Sequence, residues 1–118
     1  MVQWLAARHS SLFTTAVTQA EILFGLELLP KGKRRTTMES VIKATIEEDL
    51  AGRILPFDED AVREYALIVS SRRKLGRPIS QLDGRIAAIA RSRGAALATR
   101  NTGDFALCGI RLLDPWKP

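Results

Sequence analysis

Residues 80–99, SQLDGRIAAIARSRGAALAT, restrict the possible folds more than any other stretch of this chain. Ile86, Ala87, Ala88, Ile89 and Ala90 form an almost unbroken small or apolar run inside a helix-length segment. A helix that is apolar on several sides has to lie between other layers of structure. Ser80 is a suitable N-cap and Gly94 a suitable left-handed C-cap, after which residues 95–99 (AALAT) read as a strand of small residues. A buried helix feeding directly into a buried strand is the unit from which α/β domains are built.

The rest of the chain repeats the alternation. Residues 12–17 (LFTTAV) read as a strand, and residues 18–29 as a helix with Ile22, Leu23, Leu26 and Leu29 on one face. Pro30 and Gly32 end it. A second helix is expected over residues 35–50, striped by Met38, Val41, Ile42, Ile46 and Leu50, and Gly52 separates it from a strand at 53–57. Asp58 reads as the N-cap of a long helix to about residue 75, which Gly76 and Pro78 break. A turn at 101–104 and a strand at 110–113 precede Pro115 and Trp116. Residues 2–8 read as the last turns of a helix with no strand before it. The fold class is α/β, a mainly parallel central sheet flanked by helices, with residues 1–118 as one domain.

Composition narrows the function. With 46% hydrophobic and 26% charged residues the chain is globular rather than disordered. The longest apolar run, residues 22–29, is interrupted by Glu27 and falls far short of the roughly 18 residues a membrane span needs. No signal-peptide pattern is visible, and Cys108 is the only cysteine, which excludes an internal disulfide and a multi-cysteine zinc site. A cytoplasmic location is expected. The net charge of +5 is unevenly placed: residues 1–60 carry seven basic and nine acidic groups, residues 61–118 eleven and four. A basic half attracts polyanions, although many basic domains bind none.

Chain direction then brings distant acids together. In a parallel sheet every strand C-terminus and every helix N-terminus share one edge, where such folds bind ligands. Glu21 follows the strand ending at Val17, Asp83 opens the apolar helix, and Asn101 and Asp104 follow the strand at 95–99. All four face that edge. Hard oxygen donors gathered in this way suit Mg²⁺ or Mn²⁺, and such an ion assists phosphodiester hydrolysis. The plainer alternative is capping: Thr18-x-x-Glu21 and Ser80-x-x-Asp83 both have the capping-box spacing, and Asp58, Glu59 and Asp60 fit the same role. His9, the only histidine, sits in a polar turn; Cys108 reads as a small core residue; Arg72, Arg73, Lys74 and Arg77 read as a solvated helix end, with phosphate contact the alternative.

The strings TTAVTQAEILFGLELLPKGKRR, GRILPFDEDAVREYA and GRPISQLDGRIAAIARSRGAALATRNTGDF, with the terminal DPW, resemble PIN-domain proteins, and among them the VapC and FitB toxins of bacterial toxin–antitoxin pairs. The resemblance covers nearly the whole chain with its motifs in order. It implies a three-layer PIN-like ribonuclease fold, dependence on Mg²⁺ (or Mn²⁺), a homodimer, an RNA substrate and a small DNA-binding antitoxin. By position the family's catalytic and metal-binding acids fall on Glu21, Asp83 and Asp104, with Asn101 as a neutral oxygen donor and Thr99 in support. Arg100 and Arg85 are the expected substrate-binding residues.

One departure accompanies it. The family opens with a strand ending in Asp-Thr-Asn, whose first aspartate is a principal metal ligand. Here Val2, Trp4 and Leu5 resemble the end of the helix after that strand, so the first strand is expected to be missing, a shortfall of roughly 20 residues. The resemblance therefore implies either an active ribonuclease whose start is misplaced or truncated, or a catalytically impaired module that binds antitoxin or RNA without cleaving.

Overall fold

Burial of one helix on nearly all sides organises the molecule. The structure is a computed structural model that describes residues 4–6, 12–99 and 101–113. Its elements are β1 (Trp4–Ala6), β2 (Leu12–Thr15), α1 (Ala16–Glu27), α2 (Lys33–Ala44) with a π-helical turn (Thr45–Asp49), β3 (Ile54–Leu55), α3 (Glu59–Lys74), α4 (Gln81–Ser92), β4 (Ala96–Ala98), a 3₁₀ turn (Thr102–Phe105) and β5 (Leu112–Leu113). Gly84 and residues 86–90 of α4 are all buried, as the small-residue run requires. They pack with Ala61 and Ile68 of α3, Leu97 of β4, and Phe105 and Cys108 of the segment after β4.

The sheet order is β3-β2-β1-β4-β5. β2 pairs in parallel with β3 and β4 in parallel with β5, whereas β1 is antiparallel to both of its neighbours. Because β2 and β4 both oppose β1, they run the same way, so four of the five strands share one direction. The mainly parallel expectation holds, and the edge argument with it. The helix expected over residues 2–8 is corrected by β1, which occupies the sheet centre; the flanking residues of that span, and His9, lie outside the described residues. A three-residue Trp-Leu-Ala segment gains more by pairing two central strands on both edges than by an isolated helical turn, because unpaired backbone groups at a sheet centre are costly.

Two helix boundaries also differ. α1 begins at Ala16 rather than Thr18, since Thr15 is the N-cap and its hydroxyl accepts the Thr18 N–H at 2.9 Å. Leu23 is exposed, so only Ile22, Leu26 and Leu29 of the expected stripe face inward. The helix expected over 35–50 ends at Ala44 and widens into the π turn, which turns Leu50 into the core while Met38 and Val41 remain exposed. The remaining caps follow the sequence: Asp58 accepts from Ala61 N, Ser80 accepts from Asp83 N, and Gly76 and Gly94 take φ of 73° and 62°. Strands β3, β4 and β5 are shorter than the expected spans, and Pro115 and Trp116 lie outside the described residues.

Gly84 is the close point of the α3–α4 interface. A Cβ there meets Tyr65 Cε1 and Val69 Cγ2 at 3.1 Å. Gly84→Val is expected to destabilise the protein by about 1–3 kcal/mol through overpacking, read as a lower urea midpoint at unchanged slope.

Candidate active site

The four expected positions come from three elements. Asp83 is the third residue of α4, and the Ser80 hydroxyl accepts its N–H at 3.1 Å. Asp83 thus has the position of a capping-box acid. Glu21 does not: with Thr15 as the cap it lies in the second turn of α1, and the capping alternative for it is removed. Glu21 is exposed, and with Asp83 it lines a cavity of about 640 Å³ walled mainly by apolar residues of α1, α2 and α4. Asp104, in the 3₁₀ turn, faces Asp83 across a second cavity of about 420 Å³. Asp83 therefore stands between the other two carboxylates.

Electrostatics agree with this placement. Burial pushes the Asp83 carboxyl above the usual carboxylate range; the Ser80 hydroxyl opposes the shift, the charge of Asp104 adds to it, Arg72 opposes it, and Glu21 adds to it. The acids from α1 and the 3₁₀ turn are thus near enough to be felt at Asp83. In this arrangement no three His, Cys, Asp or Glu side chains among the described residues lie close enough to enclose one ion. The chemistry of the set still suits Mg²⁺, which keeps several waters and takes only one or two carboxylates directly.

The corner after β4 is built by hydrogen bonds. Thr99 is fully buried, and its hydroxyl accepts the Asn101 N–H at 3.0 Å; the Asn101 carbonyl accepts the Asp104 N–H at 3.0 Å. Asn101 is exposed and lines neither cavity. Arg85 is also exposed and lines neither cavity, and Arg100 lies outside the described residues.

Over residues 1–107 the chain matches the model of the PIN domain. It belongs to the PIN-domain family. It is 40% identical to the VapC ribonuclease Y4jK of Sinorhizobium fredii over 119 residues, covering 100% of this chain and 85% of that protein. It is 36% identical to Toxin FitB of Neisseria gonorrhoeae, covering 98% and 84%. A solved structure of FitAB bound to a DNA fragment superposes with a TM-score of 0.85 at 37% identity, over 90% of this chain and 74% of that one.

In this PIN domain one functional feature was misread from sequence. Arg72 is buried, 5% exposed, rather than part of a solvated helix end. Its Nε donates to the Arg77 carbonyl at 2.6 Å, and its Nη1 donates to the Asp104 and Ala106 carbonyls at 3.0 and 2.8 Å. Arg72 thereby fixes the backbone that carries Asp104. The signal was present: residues 61, 65, 68 and 72 recur at helical spacing, which puts Arg72 on the inward face of α3. Cys108, read as a core residue, is buried beneath this clamp.

Proposed function

We propose that this PIN domain is a divalent-metal-dependent endoribonuclease, the toxin of a toxin–antitoxin pair. The observation that carries the reading is the convergence of Glu21, Asp83 and Asp104 from three elements on one sheet edge, with Asp83 electrostatically coupled to both others. The names of the relatives, a VapC ribonuclease and a FitB toxin, support the reaction class and the biological role.

Asp83 and Glu21 would hold Mg²⁺ or Mn²⁺ at the mouth of the larger cavity, with Asp104 approaching from the smaller one and Asn101 offering a neutral oxygen. When bound, the ion supplies Lewis-acid charge at the phosphate and lowers the pKa of the attacking water. The chain's own contribution is placement. Ser80 fixes the start of α4 beneath Asp83, and Thr99 and Arg72 fix the turn that carries Asp104. The half-buried setting of Asp83 keeps its charge incompletely hydrated, which strengthens its attraction for a cation. Arg85 and Arg100 are the proposed contacts for flanking phosphates.

Exposed apolar side chains of α1 and α2 supply partner surfaces. Phe24 of α1 and Leu28, its C-cap, are 62% and 69% exposed, and Met38 and Val41 of α2 are 40% and 61% exposed. Apolar side chains of that size left in water mark interaction surfaces, here assigned to the antitoxin and to a second copy. No helix among the described residues is long and apolar enough to cross a membrane, and a cytoplasmic site of action is proposed.

A binding-only module is the second reading, favoured by the absence of a ready three-carboxylate cage among the described residues. Incubation of the chain with an unstructured RNA separates the two. Cleavage that needs Mn²⁺ or Mg²⁺, stops with EDTA, and falls on the order of 10²-fold or more in Glu21→Gln supports the nuclease. RNA or antitoxin binding without metal-dependent cleavage supports the module.

A further inference from the structure

We propose that the 420 Å³ cavity is a phosphate subsite for the RNA strand, formed by Arg72, Arg77 and the N-terminus of α4. The proposal rests on the ribonuclease reading and names where the strand next to the cleaved bond is held.

Arg72 carries the first part of the argument. Its Nε and Nη1 are taken up by backbone carbonyls, while Nη2 has no hydrogen-bond partner among the described residues. No carboxylate lies within ion-pair distance of this 5%-exposed guanidinium among those residues. Its charge acts on Asp83 without a direct ion pair, and the Nη2 N–H groups remain to donate to a phosphate oxygen. Arg72 lines the cavity, so those groups have somewhere to bind an anion.

The second part is independent of it. Ser80 and α4 open on the same cavity. The Ser80 hydroxyl takes the Asp83 N–H, but the Gln81 and Leu82 N–H groups have no acceptor among the described residues. Of the start of this twelve-residue helix, Ser80 and Asp83 line the cavity while Gln81 and Leu82 do not, so the helix contributes the positive end of its dipole rather than free donors. Arg77, exposed and in no ion pair among the described residues, stands at the rim as a second guanidinium. Asp83 and Asp104 line the same cavity. They repel a phosphate that lies against them without a cation, so the subsite suits a phosphate adjoining the one presented to the carboxylates rather than that phosphate itself.

The test uses one RNA sequence in which a single neutral methylphosphonate linkage is moved along the strand. In the wild type, neutralising one linkage beside the cleaved bond is expected to slow cleavage about tenfold. Arg77→Gln should slow the unmodified RNA by a similar factor, and neutralising that linkage should then have no further effect. The same pattern is expected in affinity when the oligonucleotides bind Asp83→Asn protein, a readout that needs no turnover. If RNA is cleaved and every linkage penalty is the same in Arg77→Gln as in the wild type, the subsite is refuted and the nuclease stands. If the wild type neither binds nor cleaves the unmodified RNA in saturating Mn²⁺, the nuclease reading fails and the subsite with it.

Discussion

Asp83→Asn is expected to lower RNA cleavage on the order of 10²–10³-fold while leaving the protein as stable as the wild type at neutral pH, or more so. Loss of function without loss of stability is the mark of a carboxylate held in an unfavourable setting for its chemistry. Burial and the charges of Asp104 and Glu21 raise the Asp83 pKa above its ordinary 3.8. A raised acid binds its proton more tightly in the folded state than in the unfolded one. The folded state therefore loses stability as pH rises through the range above 3.8, and the charged form is a net burden at neutral pH. Asparagine removes the charge and keeps an oxygen near Ser80. Urea unfolding should show Asp83→Asn level with or above the wild type at pH 7, the gap closing as pH falls toward the carboxylate range. If Asp83 served only to cap α4, the substitution would reduce stability and leave metal affinity unchanged.

Arg72→Met should have the largest effect on stability, on the order of 3 kcal/mol. It leaves the Arg77, Asp104 and Ala106 carbonyls without their donor in a partly buried setting, opens a gap where a buried side chain stood, and removes the tie between α3 and the turn that carries Asp104. The nearest comparison is Arg93→Met, which breaks only an ion pair with Asp58 in which both side chains are partly exposed. That loss should stay below about 1 kcal/mol. A drop in urea midpoint for Arg72→Met no greater than that of Arg93→Met would show that the clamp is dispensable.

Those two residues also mark how far the sequence can be read. The small-residue run of residues 86–90, the caps at Asp58 and Ser80 and the glycines at 76 and 94 are local features whose physics does not depend on the rest of the chain, and they lie where the pattern places them. The convergence of Glu21, Asp83 and Asp104 was legible because it needs only strand direction, which four of five strands share. Three things were not legible. β1 takes its conformation from two strands distant in sequence, so residues 2–8 viewed alone read as a helix end. The start of α1 is set by Thr15, which lies inside the expected strand, and not by Thr18, and this changes the meaning of Glu21. Arg72 was hidden by its basic neighbours: a run of charges suggests solvent, while the helical period of α3 turns one of them inward to carbonyl groups more than 30 residues away.

The one-site claim is tested most directly by titrating the ¹⁵N-labelled chain with Mn²⁺ and following paramagnetic broadening residue by residue. A single shared site broadens the signals around Glu21, Asp83 and Asp104 together at the first equivalent, and Asp83→Asn weakens all three at once. Broadening confined to one of these positions, or centred elsewhere on the chain, would contradict a common metal centre.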